Sequence, residues 1–278
     1  MKQIITTLAV VLATIAISSC TSVSDLELVS APAASASVKV DVTASIPATR
    51  ATSSVIKSEW TSQDWIYVSN NGKDTYFKAN ESGIDASFSI SGSSSDWTDG
   101  VAYAAYPKSV KLVNNVASFS FAGQTGLFED LDKFNLMTSK TNVVSGSANF
   151  TFKSHVAVLA ISKDVLYSGT KFSQIVVSGE NFSSEIAVSV ESGNFEISAV
   201  GGKELVVNNP TIQDGMVYVA LYATSGDLDV DVYGTDGAHF FTTINASELV
   251  AGSVMSTEDA NWDGGIEITF NPSVENWN

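Results

Sequence analysis

The sequence predicts an all-β protein, a sandwich or barrel of many short strands, on three observations. Short β-branched and aromatic segments recur along almost the whole chain. Between them stand turn dipeptides such as Asn71-Gly72, Ser192-Gly193, Asp214-Gly215, Ser225-Gly226 and Asp236-Gly237, which suit tight hairpins. No long stretch carries the apolar period of an amphipathic helix, although a helical turn is expected around Gly126 to Lys133.

Residues 1–19 predict an export signal. Lys2 supplies the positive start, and Ile4 to Ile17 form an apolar core interrupted by Thr6, Thr7 and Thr14, too short to span a bilayer. Ile17-Ser18-Ser19-Cys20 reads as a lipobox, in which Cys20 becomes the acylated N-terminus, carrying chains such as palmitate. Cys20 is also the only cysteine, so an intrachain disulfide or a cysteine metal site is not expected. Residues 21–36 are a Ser- and Ala-rich leader. From Ser37 to Ile46 the chain alternates, with Val38, Val40, Val42, Ala44 and Ile46 on one face, the period of a strand with one buried side.

Just beyond that strand lies Arg50, the only arginine of the chain. Cleavage between Arg50 and Ala51 would detach a lipidated leader, residues 20–50, together with its strand 37–46. A lone arginine by chance in a lysine-biased chain is the alternative at this point. The remaining 51–278 suffice for one large or two modest β domains, and a gap in the pattern at 141–148 divides them into 51–147 and 148–278. The formal net charge is −16, and it is unchanged without residues 1–50. An acidic chain with a single arginine repels phosphate backbones and anionic lipid, so no nucleic-acid partner is expected.

Strands are expected at 65–68, 86–90, 116–121, 148–152, 156–161, 174–177, 185–190, 194–198, 204–207, 216–222, 228–233, 239–244 and 266–270, and a loop at 91–96. Convergent reactive groups are few. His155 and His239 lie in apolar strand contexts where a structural histidine is the default. There is no HExxH, CxxC, GxSxG or P-loop pattern, so no catalytic, cofactor or metal site is assigned. Asp227, Asp229 and Asp231 alternate with Leu228, Val230 and Val232; an EF-hand would need glycine at 232 and glutamate at 238, and the spacing instead places the aspartates on the solvent face of a strand. Trp60, Trp65 and Trp97 could form a sugar-stacking platform, with core packing as the default.

Four spaced motifs resemble the fimbrillin family, the type V pilins of Gram-negative anaerobes of the Bacteroides group. Trp60-Thr61-Ser62-Gln63-Asp64-Trp65-Ile66-Tyr67-Val68 is similar to the family's W-x-x-G-D-x-I-x-V, with Gln63 in place of glycine. Tyr103-Ala104-Ala105-Tyr106-Pro107 resembles Y-x-A-Y-P, Phe152 to Leu159 resembles F-x-x-H-x-x-A-x-L with one residue fewer between His155 and Ala157, and Leu249-Val250-Ala251-Gly252 resembles the late L-x-A-G.

The resemblance implies two transthyretin-like β-sandwich domains with Greek-key-type connections, and an assembly route. Such subunits reach the outer membrane as lipoproteins, through Cys20 here, are cut after an arginine by an arginine-specific protease, and lose their first strand. The groove then accepts a strand from another fimbrial subunit, building a surface fimbrium for adhesion. Removing Val38 to Ile46 would expose unpaired backbone and an apolar strip, a template for an added strand; five inward side chains at about 1–3 kcal/mol each would favour refilling it. The expected donor is 266–277, with Ile266, Ile268, Phe270, Val274 and Trp277 as anchors; a last strand packed in its own domain is the alternative. Stalk subunit, tip adhesin with a host glycan or protein ligand, and lipid-anchored glycan-binding surface lipoprotein all remain open.

Overall fold

Burial alternates residue by residue along Glu204-Leu205-Val206-Val207-Asn208 and along Asp227 to Val232, with the aliphatic side chains inward, and this repeated pattern is what drives the chain into sheets. The computed structural model describes residues 39–43, 56–57, 59–90, 97–166, 168–191, 196–222, 226–245 and 249–265, the backbone alone for 39–43 and 196–199. These residues all lie in one compact unit. Their strands are β1 Lys39–Thr43, β2 Trp65–Asn70, β3 Lys73–Ala79, β4 Asp85–Ile90, β5 Gly100–Tyr106, β6 Leu112–Val113, β7 Val116–Ser120, β8 Met137–Val143, β9 Ala148–Thr151, β10 Lys153–Ser154, β11 Val156–Ser162, β12 Phe172–Ser178, β13 Glu185–Ser189, β14 Glu196–Ala199, β15 Glu204–Asn208, β16 Met216–Tyr222, β17 Asp227–Gly234, β18 His239–Asn245, β19 Val254–Ser256 and β20 Asp263–Gly265. A 3-10 helix spans Phe128–Phe134, where a helical turn was expected.

The first sheet runs β10-β8-β5-β2-β3-β4-β1-β9. Its two ends are one continuous stretch of chain, because only Phe152 separates β9 from β10. That stretch pairs with β1 in its first half and with β8 in its second, so the sheet curls round and closes. Inside it lies a core of Trp60, Ile66, Val68, Phe77, Phe88, Tyr106, Met137, Phe150, Phe152 and smaller neighbours. At its centre Trp60, fully buried, meets Phe88, Tyr106 and Phe152 edge-on at centroid distances of 5.3, 5.4 and 5.3 Å, a geometry favoured by the ring quadrupoles.

A second core is enclosed by β16-β11-β19, by β15-β12-β17-β18-β20 and by β14-β13-β7-β6. The cores share the chain unevenly. Leu112, Ala117 and Phe121 from the first half pack in the second core, whereas Ala148, Phe150 and Phe152 pack in the first. The outward face of β2 and β5 also touches the second core, through Tyr67 and Ala105. The edge of β16 is closed by a side chain: the buried Gln124 amide donates to Ala220 O (2.7 Å) and accepts from Ala220 N (2.6 Å), while Tyr218 N donates to Gly126 O. A covered edge cannot template unwanted pairing.

The pattern does not announce β3, β5, β6, β8, β10, β19 or β20, for physical reasons. In β5 both faces are covered, so Gly100 to Tyr106 shows no alternation. In β8 the buried positions include Thr138 and Ser139, whose hydroxyls bond to His155 Nε2 (2.7 Å) and to Thr151 O (2.7 Å). The segment 141–148, expected as a gap between domains, is the end of β8 and a tight turn in which Val144 and Ser147 pair backbone to backbone. The loop expected at 91–96 lies outside the described residues.

Candidate strand-exchange groove

β1 is the strand that lies upstream of Arg50, and its backbone sits between β4 and β9. It runs antiparallel to β4, with Lys39 opposite Ser89 through Thr43 opposite Asp85, and parallel to β9, with Val40 opposite Ala148 through Thr43 opposite Thr151. The register sorts these rows into two kinds. Position 40 lies between Phe88 and Ala148 and position 42 between Ala86 and Phe150, four neighbours that are all buried in the first core. Position 41 lies between Ser87 and Asn149, on the outer side. β1 is therefore the one strand that joins β4 to β9 and completes the closed sheet. Taking it away would leave a gap one strand wide, rimmed by two unpaired strand edges and floored by aromatic rings.

Downstream of residues 51–55 the chain is fastened at once. Ile56 is buried and its N–H donates to Gly252 O (3.4 Å). Lys57, 5% exposed, places its ammonium 3.0 Å from Asp64 Oδ2 and 3.2 Å from Asp132 Oδ2, and 5.1 Å from the Tyr106 ring centre. Asp64 is saturated with donors: Thr61 N (2.6 Å) and Thr61 Oγ1 (3.1 Å) reach Oδ2, and the Tyr106 hydroxyl (2.9 Å) reaches Oδ1. Burial, together with the carboxylates of Asp132 and Asp64, pushes the Tyr106 phenol far above its ordinary value, so it stays a donor. A buried lysine is tolerated only with such partners. The sequence reading did not single out Lys57; its signal is the early Trp60…Asp64 spacing, which the fold brings against Tyr106.

At the other end of the chain, β20 pairs antiparallel with the start of β18, Gly265 facing His239 and Asp263 facing Phe241. His239 is the first residue of β18, and Ala238 before it belongs to the β17–β18 turn. Gly264 (φ 117°) has its backbone so close to β18 that a Cβ would stand 2.1 Å from His239 O. Only glycine fits there.

Of the residues proposed for processing and exchange, Val40 and Val42 fall in β1 at the positions given above. Cys20, Val38, Ala44, Ile46, Arg50, Ala51, Ile266, Ile268, Phe270, Val274 and Trp277 lie outside the described residues. Leu228, Val230 and Val232 point inward, while Asp229 accepts from Thr243 Oγ1 (2.7 Å) and Asp231 pairs with His239 Nε2 (2.7 Å). His239 is half-exposed and stacks on Tyr233, ring centres 4.4 Å apart, so its setting is polar and superficial rather than apolar. The three tryptophans do not share a face: Trp60 is core, Trp97 packs on Phe77 and donates to Gly146 O (2.9 Å), and Trp65 lies under the Lys108 ammonium at 4.0 Å.

His155 is 2% exposed, and burial, with the Lys153 charge adding to it, lowers its pKa to about 4. The folded protein thus resists a proton that the unfolded chain accepts near 6.5. Stability contributed by this neutral histidine is complete above about pH 6.5 and falls as pH drops from there toward 4. Between pH 7 and 5 the wild type should lose about 2 kcal/mol more than His155→Gln, measured by urea denaturation; equal losses would rule this out.

No family model matches the sequence, and no curated protein matches it in sequence. Solved structures do match. A proposed cell adhesion protein of Bacteroides uniformis superposes with a TM-score of 0.53 at 16% identity, over 84% of this chain and 98% of that one. This chain has its fold. A proposed cell adhesion protein of Bacteroides ovatus matches with a TM-score of 0.48 at 13% identity, covering 84% and 98%, and the tip fimbrial protein Mfa3 of Porphyromonas gingivalis, truncated at its C-terminus, with 0.32 at 10%, covering 75% and 81%. Within this fold the motif residues of the sequence meet one another. Trp60, Tyr106 and Phe152 touch in the first core, Asp64 holds Tyr106, and Gly252 N donates to Val156 O (2.6 Å) beside the Ile56 bond.

Proposed function

We propose that the protein is a fimbrial subunit of the fimbrillin type, exported as a lipoprotein on Cys20, cut after Arg50 and polymerised by strand exchange at the cell surface. The single observation that carries this is the place of β1: the strand upstream of the lone arginine is the one that closes the first sheet. Its removal opens a gap between β4 and β9, while Ile56 and Lys57 hold the rest of the chain in place. In this reading the chain forms two sandwich domains, 51–147 and 148–278, each lending strands to the other's core, and the presence of two cores supports it. The segment 266–277 is the proposed donor, supported by its alternating apolar residues and by the glycine pair 264–265 just before it. Its alternating apolar positions suit a slot whose rows alternate core and solvent. The partners are then other subunits, an arginine-specific protease and, before cleavage, the outer membrane; the work is structural and adhesive rather than enzymatic.

N-terminal sequencing of material sheared from cells tests the reading. It should return Ala51 as the first residue, and a chain still beginning at acylated Cys20 in the polymer would refute it.

A further inference from the structure

A cavity of about 600 Å³ opens where two hairpin tips come together against β5. One tip joins β2 to β3 through Asn71-Gly72, the other joins β6 to β7 through Asn114-Asn115, and Tyr103 stands in the wall between them. Both turns hold their two central residues at positive φ, 51° and 75° in the first, 52° and 61° in the second, the signature of the type I′ hairpin turn. Their side chains are used differently. Asn71 donates through its amide to Thr98 Oγ1 (2.8 Å) and Asp99 O (3.2 Å), so it braces the fold, and Gly72 takes the second position without strain. In the other turn Asn115 occupies the position that favours glycine, and neither its amide nor that of Asn114 bonds to another described residue.

The same holds for two more groups lining the cavity. Ser69 Oγ and the Tyr103 phenol have no hydrogen-bond partner among the described residues. Burial and the nearby Glu191 hold the Tyr103 phenol above its ordinary pKa, so at neutral pH it is a donor. Two carboxamides and two hydroxyls, each able to donate and accept, thus converge beside an aromatic ring and the exposed Val113 side chain. Asparagine tolerates the left-handed region, so this turn places two side-chain amides at the cavity where the other places an amide and a glycine. Asp74 is the charged residue lining the wall, and with a net charge of −16 on the chain it disfavours anions; a cation beside that wall, the Lys140 ammonium, is engaged over the Tyr103 ring, 5.6 Å from its centre. The volume is that of a small-molecule site.

We propose that this cavity is a binding site for a short neutral saccharide, whose hydroxyls engage Asn114, Asn115, Ser69 and Tyr103 while an apolar sugar face rests on the Tyr103 ring. The site needs no assembly step, so it stands or falls independently of strand exchange.

The test is saturation-transfer NMR on the full chain with the methyl glycosides of glucose, galactose, mannose and N-acetylglucosamine, and with sialic acid as the anionic comparison. Transfer to at least one neutral glycoside is expected, and none to sialic acid. Asn115→Gly should weaken the Kd at least tenfold while raising the melting temperature, because glycine suits the turn; Tyr103→Leu should abolish transfer. A simple folding defect would lower the melting temperature instead. No transfer from the wild type to any neutral glycoside, equal transfer to sialic acid, or transfer unchanged in Asn115→Gly would overturn the proposal.

Discussion

Cells carrying Arg50→Ala are expected to display the full-length lipidated chain and no polymer. The reason lies in competition for one slot. β1 is matched to β4 at five positions and to β9 at four, and as long as it remains covalently attached its effective concentration at that slot is on the order of millimolar or more. A donor from another subunit gains the same kind of ladder and the same kind of burial, so it has no advantage over the resident strand. Cutting after residue 50 changes the balance, because the leader becomes a separate molecule that dissociates and is diluted. Arg50→Lys should behave like Arg50→Ala if the protease requires arginine, which separates loss of the cleavage site from loss of a charge. The readouts are an immunoblot of outer-membrane and sheared fractions and electron microscopy of the cell surface. Polymers of normal length on Arg50→Ala cells would end the strand-exchange proposal.

Asp64→Ala is expected to destabilise the protein by about 3–5 kcal/mol, read from the shift of the urea midpoint. The substitution strands four donors at once: the Lys57 ammonium, the Thr61 backbone N–H, the Thr61 hydroxyl and the Tyr106 hydroxyl lose the carboxylate they now share. Asp132 stays near Lys57 but is half-exposed and does not reach the buried end of the cluster. Lys57→Met should cost less, since Asp64 keeps its contacts to Thr61 and Tyr106 and a methionine fills the aliphatic volume. A loss below about 1 kcal/mol for Asp64→Ala would mean that the cluster is solvated and of little energetic consequence. The position of this cluster gives the result a functional side. Lys57 is the first charged residue after the proposed cleavage site, so if the chain is cut there a weakened cluster should let the new N-terminus peel back toward Trp60. The cleaved form of Asp64→Ala should therefore be digested by trypsin faster than its uncleaved precursor.

Where one face of a strand meets water, alternation in the sequence was enough to place it: β17 was legible from Asp227 to Val232, and β1 from its valines, because a period of two has only one structural meaning. Where both faces are covered the signal vanished. β5 reads as Gly-Val-Ala-Tyr-Ala-Ala-Tyr because it stands between two cores, and β8 hides behind Thr138 and Ser139, whose burial is stabilised by hydrogen bonds to residues 17 and 12 positions away. The Lys57 cluster was equally hidden, since Lys57, Asp64, Tyr106 and Asp132 are ordinary residues until folding removes water from among them.

The sequence by itself therefore determined the all-β character, the turns at Asn71-Gly72, Asp214-Gly215 and Asp236-Gly237, the structural roles of His155 and Trp60, and the presence of a strand just ahead of the only arginine. Tertiary structure alone decided which strands flank that strand, that it completes a closed sheet, and which polar groups line the cavity beside Tyr103. The division follows from range: periodicity and turn chemistry act between neighbours in the chain, whereas pocket lining joins residues as distant as Ser69 and Asn115 and sheet closure residues as distant as Val40 and Ala148, and only the packed core brings them together.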